Sequence, residues 1–268
     1  MNIIHVIILG IIEGITEFLP ISSTGHMIIA SSIMGIPPKG QEDFLKVFTV
    51  AIQLGAILSV VVLYYKRFIR SFNFYKKLFV AFLPAAVIGL LLSKQIDEML
   101  GSVLTVGITM FVGGIILLFV DKWFNKPTVE EEKDINYITA LKIGFFQCLA
   151  MVPGTSRSAA TIVGGMSQKL TRTVAAEFSF FLAVPTMFAA TAKKLWDYHH
   201  TGHTFSGEEI KFLIIGNIIA FVIAMIAIKT FITFLQKHGF RVFGWYRIVV
   251  GAAIIALIVS GYSLHMVG

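Results

Sequence analysis

Long apolar runs separated by short charged stretches recur along this chain. A helix rises about 1.5 Å per residue, so some 20 apolar residues are needed to cross a hydrocarbon layer roughly 30 Å thick. Runs at 44–63, 103–120, 174–192, 212–235 and 245–264 meet or approach that length, and 78–92, short by itself, makes a sixth. Two further apolar stretches, 1–35 and 138–168, are each broken near the middle by a polar turn, PISSTGH from Pro20 and PGTSRSAAT from Pro153. Irregular backbone at membrane depth is tolerated only where protein or a water-filled cavity satisfies its N–H and C=O groups. The pattern therefore predicts two re-entrant helix-turn-helix elements, one from each face, whose tips meet inside. Ordinary spans with polar kinks are the plainer alternative.

The chain also resembles itself. LGIIEGITEFLPISST from Leu9 matches IGFFQCLAMVPGTSR from Ile143, with Gly10 on Gly144, Glu13 on Gln147 and, after one gap, Pro20 on Pro153 and Ser23 on Ser156. Asp43-Phe44 and Glu177-Phe178 then open corresponding spans, and VGGII at Val112 echoes VGAAII at Val250. The halves divide as 1–134, holding re-entrant 1–35 and spans 44–63, 78–92 and 103–120, and 135–268, holding re-entrant 138–168 and spans 174–192, 212–235 and 245–264. Three spans per half is an odd number, so the second half must enter the membrane from the opposite side, as in inverted-topology repeats. The expected fold is an all-α integral membrane protein with six transmembrane helices, two re-entrant elements and this inversion.

Composition agrees: 56% of residues are apolar, 14% are charged, and mean hydropathy is +0.83, far from a soluble domain. The net charge of +7 forms no basic stripe with interleaved aromatics, which argues against nucleic acid. It reports orientation instead. The loop from Tyr64 to Lys77 carries Lys66, Arg67, Arg70, Lys76 and Lys77, and 236–247 carries Lys237, Arg241 and Arg247; both belong on the cytoplasmic side by the positive-inside rule. Loops near 93–102 and 193–211 then face outward, although Lys193, Lys194 and Lys211 weaken that assignment. The first dozen residues lack a basic n-region and run into Glu13, so a retained N-terminus is expected. Cys148, the single cysteine, excludes an internal disulfide and reads as a small packed residue.

The chemistry concentrates at the two broken segments. A charged residue at the centre of a membrane helix costs about 2.5–3.5 kcal/mol on insertion scales, so Glu13, Glu17, His26 and Arg157 need partners or a function. Glu13 and Glu17, at i and i+4, project from one helix face. Two carboxylates there favour a shared proton or an intervening cation, and Mg²⁺ or Ca²⁺ suits oxygen ligands; glutamates satisfied by hydroxyls and backbone donors are the structural alternative. In the second turn, Gly154, Thr155, Ser156, Ser158 and Thr161 surround Arg157 just ahead of an apolar helix. Helix N-termini attract anions, and a guanidinium offers a planar fork to phosphate oxygens. They read as a phosphate cradle, unless Arg157 serves only to pair with Glu13 or Glu17. In the first turn Ser23 is a candidate nucleophile and His26, three residues on, its base. Ser22 and Thr24 are further phosphate donors, though Ser22, Ser23 and Thr24 equally suit helix capping. His199 and His203 in HHTGH have metal-like spacing but share a polar loop with Gly202 and no acid beyond Asp197, so this reads as a solvated loop.

At these motifs the sequence closely resembles the undecaprenyl-diphosphate phosphatases, or bacitracin-resistance phosphatases, of bacterial inner membranes. GIIEGITEFLPISSTGH, AIQLGAIL, PGTSRSAATI and LTRTVAAEFSFFLAVP carry the resemblance across essentially the whole chain. It implies removal of the terminal phosphate from a C55 polyprenyl diphosphate, yielding inorganic phosphate and the monophosphate carrier reused in cell-wall synthesis, with dependence on a divalent metal. By position, the family's (E/Q)xxxE motif falls on Glu13 and Glu17, its serine and histidine on Ser23 and His26, and its PGxSRSxxT motif on Pro153, Gly154, Ser156, Arg157, Ser158 and Thr161. Ala159 and Thr49 stand where many members carry glycine and an acid, departures that bear on fine geometry only. The expected partners are undecaprenyl diphosphate and membrane lipids, not nucleic acid, with a homodimer left open. The isoprenoid tail is expected along apolar grooves, for which Phe178, Phe180 and Phe181 are lining candidates, although packing is the commoner role of such aromatics. A lipid or phosphate carrier is the competing class, since transporters also build midplane anion sites from inverted repeats.

Overall fold

The computed structural model describes residues 1–36, 42–70, 72–100 and 102–261; positions 262–264 of the sixth expected span lie outside them. The helices in chain order are α1 Ile3–Thr16, α2 Ser23–Ile33, α3 Glu42–Ala51, α4 Gln53–Leu63, α5 Tyr65–Arg70, α6 Phe72–Leu91, α7 Ser93–Leu100, α8 Val103–Trp123, α9 Tyr137–Cys148, α10 Arg157–Ser167, α11 Arg172–His200, α12 Gly207–His238 and α13 Arg241–Val259. Among the described residues there is no strand, only one isolated bridge between Val129 and Leu170. Among the described residues six helical segments are long and apolar enough to cross a membrane: α3 with α4, α6, α8, α11, α12 and α13. Their outward faces are apolar, with Leu58, Ile116, Ile218 and Ile226 all exposed, as a surface in contact with lipid requires.

Several segments read as loops are helical. α5 and the start of α6 occupy most of 64–77, α12 and α13 leave only Gly239 and Phe240 between them, and α11 carries Lys193 and Lys194 within its last turns. The helices extend past the apolar core and present charge at their polar ends, where hydropathy no longer marks them. Two charges assigned to those loops are buried. Lys77 donates to the carbonyls of Glu132 and Lys133, and Arg247 lies inside the bundle. The break between α3 and α4 has a local cause: Asn217 Oδ1 takes the Gly55 amide at 2.7 Å, and a side chain inserted into the helical ladder interrupts it.

Packing exchanges the two halves. α1 lies along α12, and its counterpart α9 lies along α6, while α4 meets α11 and α8 meets α13. Gly10 and Gly144, paired in the sequence match, both sit at close helix approaches: a side chain on Gly10 would crowd Gly216 and Ile219 of α12, and one on Gly144 would collide with the backbone of Ala81 in α6. Small residues allow such close helix approach. Both turns end alike. Ser22 and Ser156 adopt left-handed φ values of 68° and 69°, and each caps the following helix by accepting from Gly25 N or Ala159 N. The correspondence is therefore Ser22 with Ser156, at the 134-residue offset that relates Gly10 to Gly144 and Asp43 to Glu177. The gap that set Ser23 on Ser156 followed the two prolines, which are not equivalent; Ser23 corresponds to Arg157.

Phe178, Phe180 and Phe181 are fully buried. Phe180 meets Phe18 edge-on, and Phe181 meets Tyr64, Phe68 and Phe74 in the same way, so all three are core residues rather than groove walls.

Candidate active site

Glu17 is the hub. It closes α1, its amide bonding to the Glu13 carbonyl at 3.0 Å, and its carboxylate is 7% exposed. Oε2 accepts from Ser23 Oγ at 2.8 Å and Oε1 from Arg157 Nη2 at 2.9 Å. Ser23 and Arg157 are the first residues of α2 and α10, so the carboxylate sits between two helix N-termini, where dipoles and first-turn amides favour an anion. Of the two partners expected for Arg157 as an ion-pair residue, the structure supplies Glu17.

Arg157 is positioned from several sides. Nη1 donates to Ser179 O at 2.9 Å, the guanidinium lies 5.8 Å from the Phe18 ring centre, and Nε is buried without an acceptor. Glu13, 1% exposed, likewise has Oε1 buried without a partner. One donor and one acceptor thus stand unsatisfied among the side chains of Glu13, Glu17 and Arg157, which is uncommon for buried polar atoms.

The expected Ser23–His26 pair does not form here. The Ser23 hydroxyl instead donates its hydrogen bond to Glu17. His26 Nδ1 is 2.7 Å from the Ser22 carbonyl, which can only accept, so Nδ1 carries hydrogen and Nε2 is the basic nitrogen. Nε2 lies 2.6 Å from Tyr246 Oη, and the two rings are parallel to within 1°. Sequence spacing placed Ser23 and His26 on one turn, but their side chains leave in different directions.

The remaining expected residues divide by role. Ser22 and Ser156 cap helices, and Thr24 sits half-buried in the first turn of α2. Ser158 Oγ donates to Leu19 O at 2.7 Å, binding the second tip to the first, and Ser156 Oγ bonds to it at 3.0 Å. Thr161 lies a turn deeper, bonded to Arg157 O and Ser179 Oγ. As placed, Ser158 and Thr161 brace the site and present no free hydroxyl proton. Gly154, at φ 84°, is pressed against Thr109 and Val106, and its carbonyl, like that of Thr155, points to Arg247.

Arg247 is the residue that sequence reasoning missed. It is 0% exposed, and its donors reach five carbonyls: Met110 from Nε at 3.3 Å, Pro20 and Thr155 from Nη1 at 3.3 and 3.0 Å, and Thr109 and Gly154 from Nη2 at 3.1 and 3.0 Å. All five N–H groups are used. One guanidinium therefore ties both turns to α8. Its signal is an arginine two residues after Trp245, inside an apolar run, but it adjoins a basic segment and reads as part of it. His199 to His203 are exposed, as expected, but His199 and His200 belong to the last turn of α11 rather than to a loop. Among the described residues no three His, Cys, Asp or Glu side chains gather as a metal cluster.

Residues 6–253 match the family described as bacitracin resistance protein BacA. The chain belongs to the BacA family. Relatives agree along nearly the whole length: a Flavobacterium johnsoniae protein named undecaprenyl-diphosphatase is 61% identical over 266 residues, covering 99% of this chain and 98% of that protein. Proteins of the same name from Flavobacterium psychrophilum and Bdellovibrio bacteriovorus are 63% and 52% identical, over 99% and 100% of this chain and 98% and 100% of theirs. The BacA match begins at Val6, so Glu13 and Glu17 lie within it, as does Arg247.

Proposed function

We propose that this BacA-family chain is an undecaprenyl-diphosphate phosphatase of the bacterial inner membrane, releasing the terminal phosphate and returning the C55 monophosphate carrier to cell-wall synthesis, with bacitracin resistance as a consequence. The observation that carries the reading is the Glu17 carboxylate held between Ser23 and Arg157 at the starts of two helices. A carboxylate there marks a place built for anionic oxygen. The names of the relatives supply the substrate.

In this mechanism Ser23 Oγ attacks the outer phosphorus as Glu17 Oε2 receives its proton. The bond from that phosphorus to the bridging oxygen breaks, polyprenyl monophosphate leaves, and water then releases phosphate from Ser23. Arg157, through Nη2 and the unpartnered Nε, takes the phosphate oxygens together with the first-turn amides of α2 and α10. His26 holds the Ser22 carbonyl and so the entry to α2. Activation of a water by the same groups yields the same products. A phosphorylated Ser23 trapped by rapid quench separates the routes: the serine pathway predicts label on Ser23, and Ser23→Ala is expected to lose at least about a hundredfold in rate. A Ser23→Ala protein with near-normal turnover returns the reaction to water.

A divalent ion fits this site through Glu13, whose Oε1 has no protein partner. Both Glu17 oxygens are engaged, so substrate oxygens would complete the ligand set. Mg²⁺ or Ca²⁺ bound there would supply neutralisation of phosphate charge. Removing divalent ions is accordingly expected to cut phosphate release by about tenfold or more; an unchanged rate takes the metal out of the account.

We further infer that the two helix-turn-helix elements are re-entrant and the halves inverted in the membrane. The constant offset between Ser22 and Ser156 and the exchanged packing of α1 on α12 and α9 on α6 support this.

A further inference from the structure

The outward face of α12 carries a polar stripe that the reaction does not use. Lys229, Thr230, Thr233, Lys237 and His238, with Phe234, line a shallow depression of about 440 Å³. Through Thr230 and Phe234 it joins an apolar groove of about 480 Å³, floored by Ile15, Leu19, Ile226, Phe231 and Phe243. Lys229 stands nine residues before the end of α12, roughly 13 Å along the helix. A lysine at that depth extends its amine toward the surface and is a functional candidate by its position. No acid pairs with Lys229 or Lys237 among the described residues. The duplication does not account for them, because the positions 134 earlier hold Gln95 and Val103.

We propose that this face binds one anionic phospholipid, its phosphate on Lys229 and Lys237 and an acyl chain in the groove against Ile15 and Leu19. Charge complementarity selects the headgroup, and the sequence of cations at the helix end followed by apolar wall toward mid-membrane matches a lipid lying in its own leaflet. The diphosphate substrate fits less well. With its head at Arg157, it would leave Lys229 and Lys237 without an anionic partner. The bound chain would brace the turn between Glu17 and Ser23, since Leu19 both walls the groove and accepts the Ser158 hydrogen bond.

The test is native mass spectrometry of the purified full chain, stripped of lipid and re-equilibrated with equimolar phosphatidylglycerol and phosphatidylcholine. The expected result is one retained phosphatidylglycerol, favoured about tenfold, lost in the Lys229→Gln/Lys237→Gln protein and kept in a Lys193→Gln/Lys194→Gln protein. Equal retention of phosphatidylcholine, undiminished retention in the Lys229→Gln/Lys237→Gln protein, equal loss in the Lys193→Gln/Lys194→Gln protein, or displacement by undecaprenyl phosphate at equal concentration would each overturn it.

Discussion

Arg157→Ala is expected to lower kcat/KM for polyprenyl diphosphate by about a thousandfold, the scale on which a guanidinium acts on a transferring phosphoryl group. Arg157 combines a buried pairing with Glu17 and an unsatisfied Nε, so the substitution removes both the positive charge and the directed donors. Arg157→Lys keeps the charge without the planar fork and should recover only part of the rate. Steady-state phosphate release, with gel filtration in detergent to check folding, gives the measurement. A folded alanine variant with most of its activity would place Arg157 outside the reaction.

Arg247→Leu is expected to act first on stability. Leucine removes the Arg247 donors from the Pro20, Gly154 and Thr155 carbonyls, which lie outside any helix, and a second donor from the helical carbonyls of Thr109 and Met110; an unsatisfied buried polar group costs about 1–3 kcal/mol. The two turns would also lose the side chain that holds Pro20, Gly154 and Thr155 to α8. A lower thermal midpoint in detergent should therefore accompany the loss of phosphate release, and Arg247→Lys should restore a portion of both. A leucine variant that melts with the wild type would mean that Arg247 does not hold the tips together.

Glu13, Glu17 and Arg157 were legible because charge in an apolar segment is expensive, and the two proline-containing turns stood out against uniform spans. Their convergence was expected from the internal match, although the gap placed before the prolines put the two turns out of register by one residue. Side-chain direction was not legible. Residues 23 and 26 sit one turn apart, yet nothing in that spacing shows that Ser23 would face back to Glu17 while His26 crosses to Tyr246 on α13. Arg247 escaped because its burial depends on five carbonyls from segments 92 to 227 residues away, and an arginine beside a basic segment reads as part of it. The ends of α6 and α11 were misjudged for a similar reason: Lys77 and Lys193 are polar in sequence but helical in place, one buried on carbonyls and the other paired with Asp197.

The most direct test of the account is phosphate release from undecaprenyl diphosphate by purified wild-type protein and by Glu17→Gln, which keeps the shape of the side chain but not the charge that receives the Ser23 proton and holds Arg157. Rapid release by the wild type and a loss of about a hundredfold or more in the glutamine variant is the predicted result. Wild-type protein that releases no phosphate, or a Glu17→Gln protein that works as fast as the wild type, would contradict it.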